Sequence, residues 1–364
     1  MSVKIRKRFY GKTNTVTWQA DIHVKLIDGR KIRERSKVPG AKSRGAALKW
    51  ARERERWLIL HGHEIKEEEQ ASDEMPTLAQ FAARFMVEYV IANRLKPSTV
   101  ANKRMMLGAY LIPQLGDRPL DEISEVDIQR LKSAFSKQAT SSVNNILTLL
   151  STMLKVAVEW GVIDSVPKIR KLKRQPQGFE FYDETTFESL VEAASRCGVR
   201  SLLVVLLGGD AGLRAGEIMA LRLPNCDLGR GVLNIAENDW RGHVGLPKGG
   251  RARQVVMTAR LRAALENVAA LRGDPESRVI LREDGTPATK RVIDYALYRA
   301  QDKAGLPRKG PHVLRHTFCS RLAARGASPK AIQELAGHVH SSTTDRYLHL
   351  APSALKTAIE LLDS

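Results

Sequence analysis

The sequence predicts a multidomain α+β protein: a small N-terminal β-sheet-plus-helix module, an all-α middle domain, and a mainly α C-terminal domain with a small β-sheet. Its 364 residues are enough for two or three domains of ordinary size. Polar, proline-bearing stretches at 63–76 and 166–178 interrupt the apolar patterns and predict linkers. In the first two thirds of residues 1–62 the apolar residues alternate as they do in strands. In residues 77–165 they recur at helical spacing.

The N-terminal module is predicted from alternation. Along residues 15–27 every second side chain from Trp18 to Leu26 is apolar, which is the period of a half-buried strand. Asp28-Gly29 predicts a hairpin turn into a second, very basic strand, KIRERSKV, and a shorter strand, VKIRKRFY, precedes the first. Residues 43–61 carry apolar side chains at helical spacing, so a helix is expected to complete the module.

The charge of the chain predicts a polyanionic partner. The formal net charge is +19 with a pI near 10.0, and residues 1–60 alone hold 17 Lys/Arg against 5 Asp/Glu. Nucleic acid is the simplest such partner, and an anionic membrane surface is the competing one. A sheet with one basic face suits a DNA major groove, whereas a solvated surface strand is the plain alternative. The candidate DNA contacts in the module are Arg6, Arg8, Lys25, Arg30, Arg33 and Arg35.

Membrane and disulfide signals are absent from the sequence. It contains no apolar run of about 18 residues, and its N-terminus lacks the apolar segment of a signal peptide. The three cysteines, Cys197, Cys226 and Cys319, are far apart and form no metal-ligand pair. This usage fits a reducing cytoplasm better than a disulfide scaffold.

Residues 77–165 are predicted to form four or five helices. Thr77 is placed to cap the first, Pro97-Ser98 to open the second, and Ser124, followed by acidic residues, to cap a third. Ser142 is expected to head a long apolar helix. The linker at 166–178 then carries five basic residues, among them Lys171 and Arg174, which are candidates to cross a phosphate backbone; solubility is the alternative reason for their charge.

The C-terminal domain, 179–364, concentrates its polar residues in four stretches. A helix is expected after Asp183, an apolar helix or buried segment at SLLVVLLGGDAG, and strands at VLNIAE and RQVVMT on either side of a Gly/Lys-rich turn. The four stretches, with their candidate residues, are GLRAGEIMALRLPNCDL with Arg214 and Glu217, GLPKGGRARQVVM with Lys248, HVLRHTF with His312 and Arg315, and AGHVHSSTTDRYLHL with His338 and Tyr347.

Taken singly these residues are ordinary, but together they supply what cleavage of a phosphodiester needs. Two guanidiniums can clamp the non-bridging oxygens on which negative charge develops. Tyrosine, with a reference pKa of about 10, is ionised in only about one molecule in a thousand at neutral pH, so nearby cations and a histidine base are expected to raise that fraction. A lysine at a flexible turn can protonate the leaving oxygen, and a second histidine can donate to the phosphate.

In this order, Arg, Lys, His-x-x-Arg, His and Tyr, the set resembles the catalytic domain of the tyrosine recombinase (phage integrase-type) family. The likeness covers roughly residues 75–360 and is most extensive in HVLRHTFCSRLAARGASPKAIQELAGHVHSSTTDRYLHL. It implies the following roles: Tyr347 as nucleophile, Arg214 and Arg315 as phosphate clamp, Lys248 as donor to the 5′ oxygen, His312 in proton transfer, His338 as phosphate ligand and Glu217 as support. The lysine is the role least firmly assigned to one position: Lys248 matches it, and Arg251 and Lys290 are other nearby cations. Val313 stands where the family frequently has an acidic residue.

The resemblance also implies a reaction and its partners. The phenol attacks DNA to give a 3′-phosphotyrosine and a free 5′-hydroxyl, without ATP, metal or any cofactor. A zinc site formed by His338, His340 and His349 is the alternative interpretation of these histidines, but no cysteine or acidic ligand is evident beside them. The expected partners are double-stranded core and arm sites, a homotetramer on DNA, and a host DNA-bending factor and excisionase, in the cytoplasm of a bacterial host and on no membrane.

The N-terminal 62 residues look like the family's arm-type modules, and residues 77–165 like its core-type DNA-binding domain. This organisation favours an integrase of a phage or integrative element over a chromosome-dimer resolvase. The C-terminal tail carries Leu355, Ala358, Ile359 and Leu362 at helical spacing, and either docks on a neighbouring protomer or packs on its own domain. A type IB-like topoisomerase, a DNA-binding protein without catalysis, and an anionic-membrane binder are the competing functions.

Overall fold

The computed structural model describes residues 2–10, 15–25, 31–38, 41, 43–61, 75–173, 178–247, 249–272, 274 and 276–348. The chain divides into two compact units, Met1–Pro176 and Gln177–Ser364. Their helices and small sheets confirm the predicted multidomain α+β class. Across the described ranges, no helix is both long and apolar enough to span a bilayer.

The N-terminal module is a three-stranded antiparallel sheet covered by one helix. Strands β1 (Ser2–Tyr10), β2 (Thr15–Lys25) and β3 (Lys31–Val38) lie in that order, and α1 (Arg44–His61) follows. The apolar side chains that alternate along β2 are buried against α1, which confirms the alternation; the buried set is Ala20, Ile22 and Val24 from β2 with Ala47, Ala51 and Leu58 from α1. Leu26 and the Asp28-Gly29 turn lie outside the described residues.

The opposite face of this sheet is basic and centred on one carboxylate. The strand register places on it Lys4 and Arg6 from β1 and Arg33, Arg35 and Lys37 from β3, all exposed. Asp21 lies between them and accepts hydrogen bonds from Arg33 at 2.9 and 2.7 Å and from Arg35 at 3.2 Å. The hydrogen bonds from Arg33 hold the pKa of Asp21 well below its usual range. Arg30 and the side chains of Arg8 and Lys25 are outside the described part.

The middle of the chain is helical, as predicted. Its elements are α2 (Leu78–Arg84) running into a π-helical segment (Phe85–Ile91), α3 (Pro97–Met106) continuing through Leu107–Leu111 into α4 (Ile112–Leu115), a 3₁₀ turn (Leu120–Glu122), α5 (Glu125–Ala134) and α6 (Thr140–Glu159). Thr77 with Gln80, and Ser124 with Asp127, form capping boxes, so both predicted caps are confirmed. The predicted head of this helix, Ser142, is wrong by three residues: the N-cap is Ala139, and the Ser142 N–H already bonds its carbonyl inside the first turn.

The described part of the basic linker has no regular secondary structure and packs on this helical core. The buried side chain of Asn144 on α6 bonds the backbone of Leu172 twice, donating to its carbonyl at 2.9 Å and accepting from its N–H at 2.8 Å. Apolar linker side chains at every third position, Val166, Ile169 and Leu172, pack on the core. The basic ones, Lys168, Arg170, Lys171 and Lys173, are exposed as a result. Arg174 lies outside the described residues.

The second unit surrounds a buried central helix, α8, which contacts α7, α10, α11 and α12. Its helices are α7 (Glu184–Cys197), α8 (Val199–Gly209), α9 (Ala215–Ala220), α10 (Ala259–Leu271), α11 (Lys290–Lys303), α12 (His312–Ala324), α13 (Pro329–Ala336) and α14 (Ser341–Asp345). Its strands are β4 (Cys226–Asp227), β5 (Val232–Ile235), β6 (Asn238–Trp240), β7 (His243–Gly245) and β8 (Arg253–Val256).

The two predicted strands are confirmed as β5 and β8, which pair antiparallel in a sheet of order β4-β5-β8. The sequence did not reveal the β6–β7 hairpin between them. Its turn uses Arg241 and Gly242 with φ of 54° and 83°, and an arginine in the left-handed region is not a usual hairpin signal.

Candidate active site

The turn at Gly212 packs the stretch that carries Arg214 against α12, which carries Arg315. Gly212, just after α8, has φ of +65°, and a Cβ there would lie 2.5 Å from the ring of Phe318 on α12. Its carbonyl accepts a hydrogen bond from Nη1 of Arg315 at 2.6 Å. Only glycine allows this close approach, which brings the start of α9 against α12.

Arg214 caps α9 and is tied to a buried carboxylate. Glu217, only 1% exposed, accepts the backbone N–H of Arg214 at 2.9 Å and its Nη1 at 2.8 Å. The same carboxylate receives two hydrogen bonds from Arg253 on β8, at 3.0 and 2.8 Å. Burial raises the pKa of Glu217, but the bonds and charges of Arg253 and Arg214 outweigh it and hold the pKa at about 2. Glu217 is therefore ionised and fixes both guanidiniums.

Sequence reasoning missed Arg253 and named its neighbour Arg251. The strand pattern contained the signal: Val255 is buried, so Arg253, two residues earlier, points to the same inner face. Arg251 is exposed and lines a cavity of about 400 Å³ together with Gly249, Arg253, Gly337 and His338. Lys290, the other alternative cation, bonds Asp294 at 2.6 Å on the surface of α11.

Arg315 is a buried cation, and among the described residues no carboxylate forms a salt bridge with it. It is 2% exposed, and its Nη2 has no hydrogen-bond partner within the described part of the chain. Burial, with the nearby charge of Arg214, lowers its pKa to about 10, which still leaves it charged at neutral pH. A buried guanidinium with an open donor is costly unless an anion completes it. This arrangement suits a bound anion that faces Arg214 and Arg315 together.

His338 is placed beside both arginines by the end of α13. Gly337, with φ of +65°, terminates the helix in a Schellman motif, in which the His338 N–H bonds the carbonyl of Gln333. The Gly337 carbonyl accepts from Nη2 of Arg214 at 3.1 Å. The Nδ1 of His338 bonds Oγ1 of the buried Thr344 at 2.9 Å. Burial and then the charges of Arg315 and Arg214 lower the pKa of His338 to about 3, so the ring is neutral.

Tyr347 lies in the same cluster, but its hydroxyl is buried. The residue is 2% exposed, its Oη lies 2.6 Å from Nδ1 of His316, and its ring is 4.6 Å from that of Phe179. Burial raises the pKa of the phenol, despite the opposing charges of Arg315 and Arg346. The cations favour the phenolate, as predicted, but in this conformation burial outweighs them, so the expected rise in the ionised fraction does not occur. His316 was also missed by sequence reasoning, although it directly follows Arg315.

Of the two remaining candidates, His312 and Lys248, the structure describes His312. His312 is exposed at the start of α12, with its ring 4.6 Å from that of His316. Lys248 lies outside the described residues, but its neighbour Gly249 approaches Val339, where a Cβ on Gly249 would come within 2.5 Å of the valine methyl. No group of three or more His, Cys, Asp or Glu residues that could hold a metal ion occurs within the described ranges, and His349 is outside them.

The Glu217 pairing makes a pH-dependent prediction. A carboxyl with a pKa of about 2 in the fold and 4.5 when unfolded stabilises the protein above pH 4.5, by about 3 kcal/mol, and loses that contribution as the pH falls toward 2. Relative to Glu217→Gln, which cannot titrate, the wild-type advantage in free energy of unfolding should be constant from pH 7 to 5.5 and about 1 kcal/mol smaller at pH 4. Urea unfolding at each pH measures it, and an advantage that grows on acidification would contradict the assignment.

Two family models and several curated relatives match this chain. The model of the phage integrase family matches residues 180–354, and that of the phage integrase N-terminal SAM-like domain matches residues 77–135. Tyrosine recombinase XerC of Lactobacillus leichmannii is 27% identical over 246 residues, which cover 64% of this chain and 80% of the relative. Tyrosine recombinase XerA of Pyrococcus furiosus is 27% identical over 222 residues, covering 60% and 73%.

Solved structures show the same fold. The Tn1549 transposon integrase in complex with a circular intermediate DNA has a TM-score of 0.66 at 20% identity, covering 79% of this chain and 99% of that one. A lambda integrase dimer bound to a core site has a TM-score of 0.59 at 17% identity, covering 91% of this chain and 92% of that one. A lambda integrase tetramer bound to a Holliday junction has a TM-score of 0.58 at 18% identity, covering 89% of this chain and 94% of that one.

Proposed function

This chain belongs to the phage integrase family of tyrosine recombinases and is a site-specific DNA recombinase, and we propose that it is the integrase of a phage or integrative element. The observation that carries the proposed chemistry is the buried Arg315, whose open Nη2 lies in one cluster with Arg214 and His338. A phosphodiester bound there would supply the missing anion. The two guanidiniums would then stabilise the charge that develops on its non-bridging oxygens.

In the proposed reaction, the oxygen of Tyr347 attacks phosphorus and the bond to the 5′ oxygen breaks. His312 assists removal of the phenolic proton, and Lys248 gives a proton to the departing 5′ oxygen. His338, held through Nδ1 by Thr344, meets a phosphate oxygen with Nε2. The products are a 3′-phosphotyrosine and a 5′-hydroxyl. Attack by a 5′-hydroxyl on the phosphotyrosine reverses the step, so the reaction needs no ATP, and we propose no metal or other cofactor.

Covalent trapping tests this function. The protein is incubated in EDTA with nicked duplexes from the DNA that flanks its own gene, denatured, and separated on a gel. A protein–DNA band that survives denaturation is expected, and sequencing its DNA locates the cleavage site. Strong DNA binding with no adduct on any flanking duplex would favour a DNA-binding protein without catalysis. Relaxation of supercoils without strand exchange between sites would favour the topoisomerase alternative.

The proposed assembly has two kinds of DNA contact. Residues 77–165 and the linker at 166–178 would hold core sites, with Lys171 and its exposed neighbours on the phosphates. Residues 1–62 would bind arm sites through the basic sheet face that carries Lys4, Arg6, Arg33 and Arg35. A homotetramer on the junction intermediate, a host DNA-bending factor and an excisionase are the proposed partners, in the cytoplasm of a bacterial host. The lambda integrase tetramer on a Holliday junction supports the tetramer.

Deleting residues 1–62 is expected to lower recombination between complete attachment sites by on the order of a hundredfold, because a second linked binding module raises avidity by about that much. Adduct formation on isolated core sites should persist. The full-length double variant Lys4→Glu/Arg6→Glu, which changes only exposed side chains of the basic sheet face, should reproduce the loss with the module folded. Unchanged recombination in both variants would remove the arm-site role.

A further inference from the structure

Asp21 is an acidic residue at the centre of a surface proposed to bind DNA. Among the described side chains of the basic sheet face it is the single carboxylate, and it is only 5% exposed. In the strand register Lys4 of β1 and Arg35 of β3 lie directly opposite it, one on each side. A carboxylate that faces a phosphate backbone weakens binding through charge repulsion. Its place on this face therefore calls for a reason other than attraction to the backbone.

Asp21 holds the guanidinium of Arg33 by one edge. Nε of Arg33 donates to Oδ1 at 2.9 Å and Nη2 donates to Oδ2 at 2.7 Å, so the pair is bidentate. The guanidinium is planar and carries five N–H groups, and this pairing uses its Nε–Nη2 edge. The Nη1–Nη2 edge points away from the carboxylate. Because the Arg33 side chain is 49% exposed, that edge can reach a ligand at the surface.

Neighbouring contacts fix the carboxylate itself. Nε of Arg35 donates to Oδ2 at 3.2 Å, and Nε2 of His23 lies 3.1 Å from Oδ1. Each carboxylate oxygen of Asp21 therefore has two neighbours, which hold the side chain in one orientation. A bidentate partner that is itself held restricts the long Arg33 side chain before any ligand binds, so less conformational entropy is lost on binding. Arg33 is in this sense preorganised.

A preorganised guanidinium with its Nη1–Nη2 edge presented matches guanine better than it matches phosphate. In the major groove guanine displays the O6 and N7 acceptors, and a forked arginine donates to both. Contact with a phosphate gains little from a carboxylate beside Arg33, because the carboxylate offsets the positive charge that attracts the phosphate. Recognition of a base gains from it, because such recognition depends on the direction of the two donors.

We propose that Arg33 reads a guanine in the major groove of an arm site, and that Asp21 is the positioning residue that orients it. The inference rests on the arm-site role proposed above for residues 1–62 and deepens it. Sequence selectivity is then assigned to the arginine that Asp21 holds by two bonds. General attraction for DNA comes from cations of the same face that Asp21 does not bond, such as Arg6 and Lys37.

Selection from random-sequence duplexes by the full-length protein provides the sites for the test. A motif that wild type selects and Lys4→Glu/Arg6→Glu does not select belongs to the basic sheet face. Each guanine of that motif is then replaced in turn by 7-deazaguanine, which lacks the N7 acceptor, and the Kd of wild type is measured. We expect a loss of at least about fivefold at one guanine, since one of the two hydrogen bonds of a bidentate contact is removed there.

Asp21→Asn and Arg33→Lys should both relax the preference for guanine over adenine at that same position, by about tenfold or more, because each removes the fixed fork. Asp21→Asn also removes a negative charge, so its affinity for a nonspecific duplex should equal or exceed that of wild type. A carboxylate with only a structural role would lower both affinities and leave their ratio unchanged. Glu34→Gln is the matched control: Glu34 bonds Arg54 at 2.9 Å on the α1 side of the sheet, and the same loss of charge there should keep the guanine preference.

The outcomes separate the inference from the function on which it rests. A motif of the basic sheet face with no guanine sensitive to 7-deazaguanine would overturn the guanine contact. A preference that survives Arg33→Lys would overturn the assignment to Arg33, and one that survives Asp21→Asn would overturn the positioning role. If Lys4→Glu/Arg6→Glu loses no motif, the arm-site role itself is refuted, and the base contact with it. Circular dichroism shows whether Asp21→Asn folds, and the 7-deazaguanine series and Arg33→Lys decide the matter if it does not.

Discussion

Tyr347→Phe is expected to abolish the covalent protein–DNA adduct while it changes DNA affinity by no more than about twofold, because the lost atom is the attacking oxygen and the buried ring stays in place. The substitution also removes the hydrogen bond to His316, a loss of about 1 kcal/mol in folding free energy that a two-domain chain of this size tolerates. Adduct yield on nicked duplexes and affinity from native gels measure the two effects separately.

Tyr295→Phe is the matched control for this prediction. Tyr295 lies in the same unit, on α11, and is 63% exposed, so removal of its hydroxyl should leave both the adduct and the affinity at wild-type levels. An adduct that persists in Tyr347→Phe would assign the nucleophile to another residue. Loss of the adduct in both variants would point to a general effect of losing a tyrosine hydroxyl.

Arg315→Ala has the second-largest expected effect, a fall of about a thousandfold in the rate of adduct formation, since a preorganised donor to a developing oxyanion contributes about that much. DNA affinity should fall far less, because many other basic side chains contact the backbone in the proposed complex. The rate of adduct formation in Arg315→Lys should lie between those of wild type and Arg315→Ala, because lysine keeps the charge but lacks the forked geometry that engages two oxygens. Single-turnover cleavage at saturating protein measures the rate apart from binding.

A second arginine near the end of the same helix provides the control for Arg315. Arg325 directly follows α12, its side chain is 65% exposed, and it pairs with Glu184 at 3.0 Å on the surface. Arg325→Ala removes an equal charge from the same region and should leave the cleavage rate unchanged. A loss of binding in Arg315→Ala as large as the loss of cleavage would contradict a clamp that acts on the transition state.

The sequence by itself determined the elements whose causes are local. Alternation fixed which face of β2 is buried, and the capping residues Thr77 and Ser124 fixed two helix starts, because strand period and capping bonds involve residues within a few positions of one another. The start of α6 was misplaced because its N-cap is Ala139, which has no capping side chain to mark it in the sequence. The order of the polar stretches was equally visible, which is why the family could be recognised from the residues.

The tertiary structure decided the state of the candidate site. Glu217 bonds Arg253, which lies 36 residues away in the sequence, and His316 bonds Tyr347, 31 residues away. The ring of Phe179, near the start of the second unit, packs on that of Tyr347 near its end. Such contacts depend on how α9, β8, α12 and the segment around Phe179 pack, and no local pattern encodes them. Burial then sets the ionisation: it keeps the Tyr347 phenol neutral where the sequence predicted activation by cations, and it leaves Arg315 charged with an open donor. The residue types follow from the sequence, and their protonation and availability follow from the packing around them.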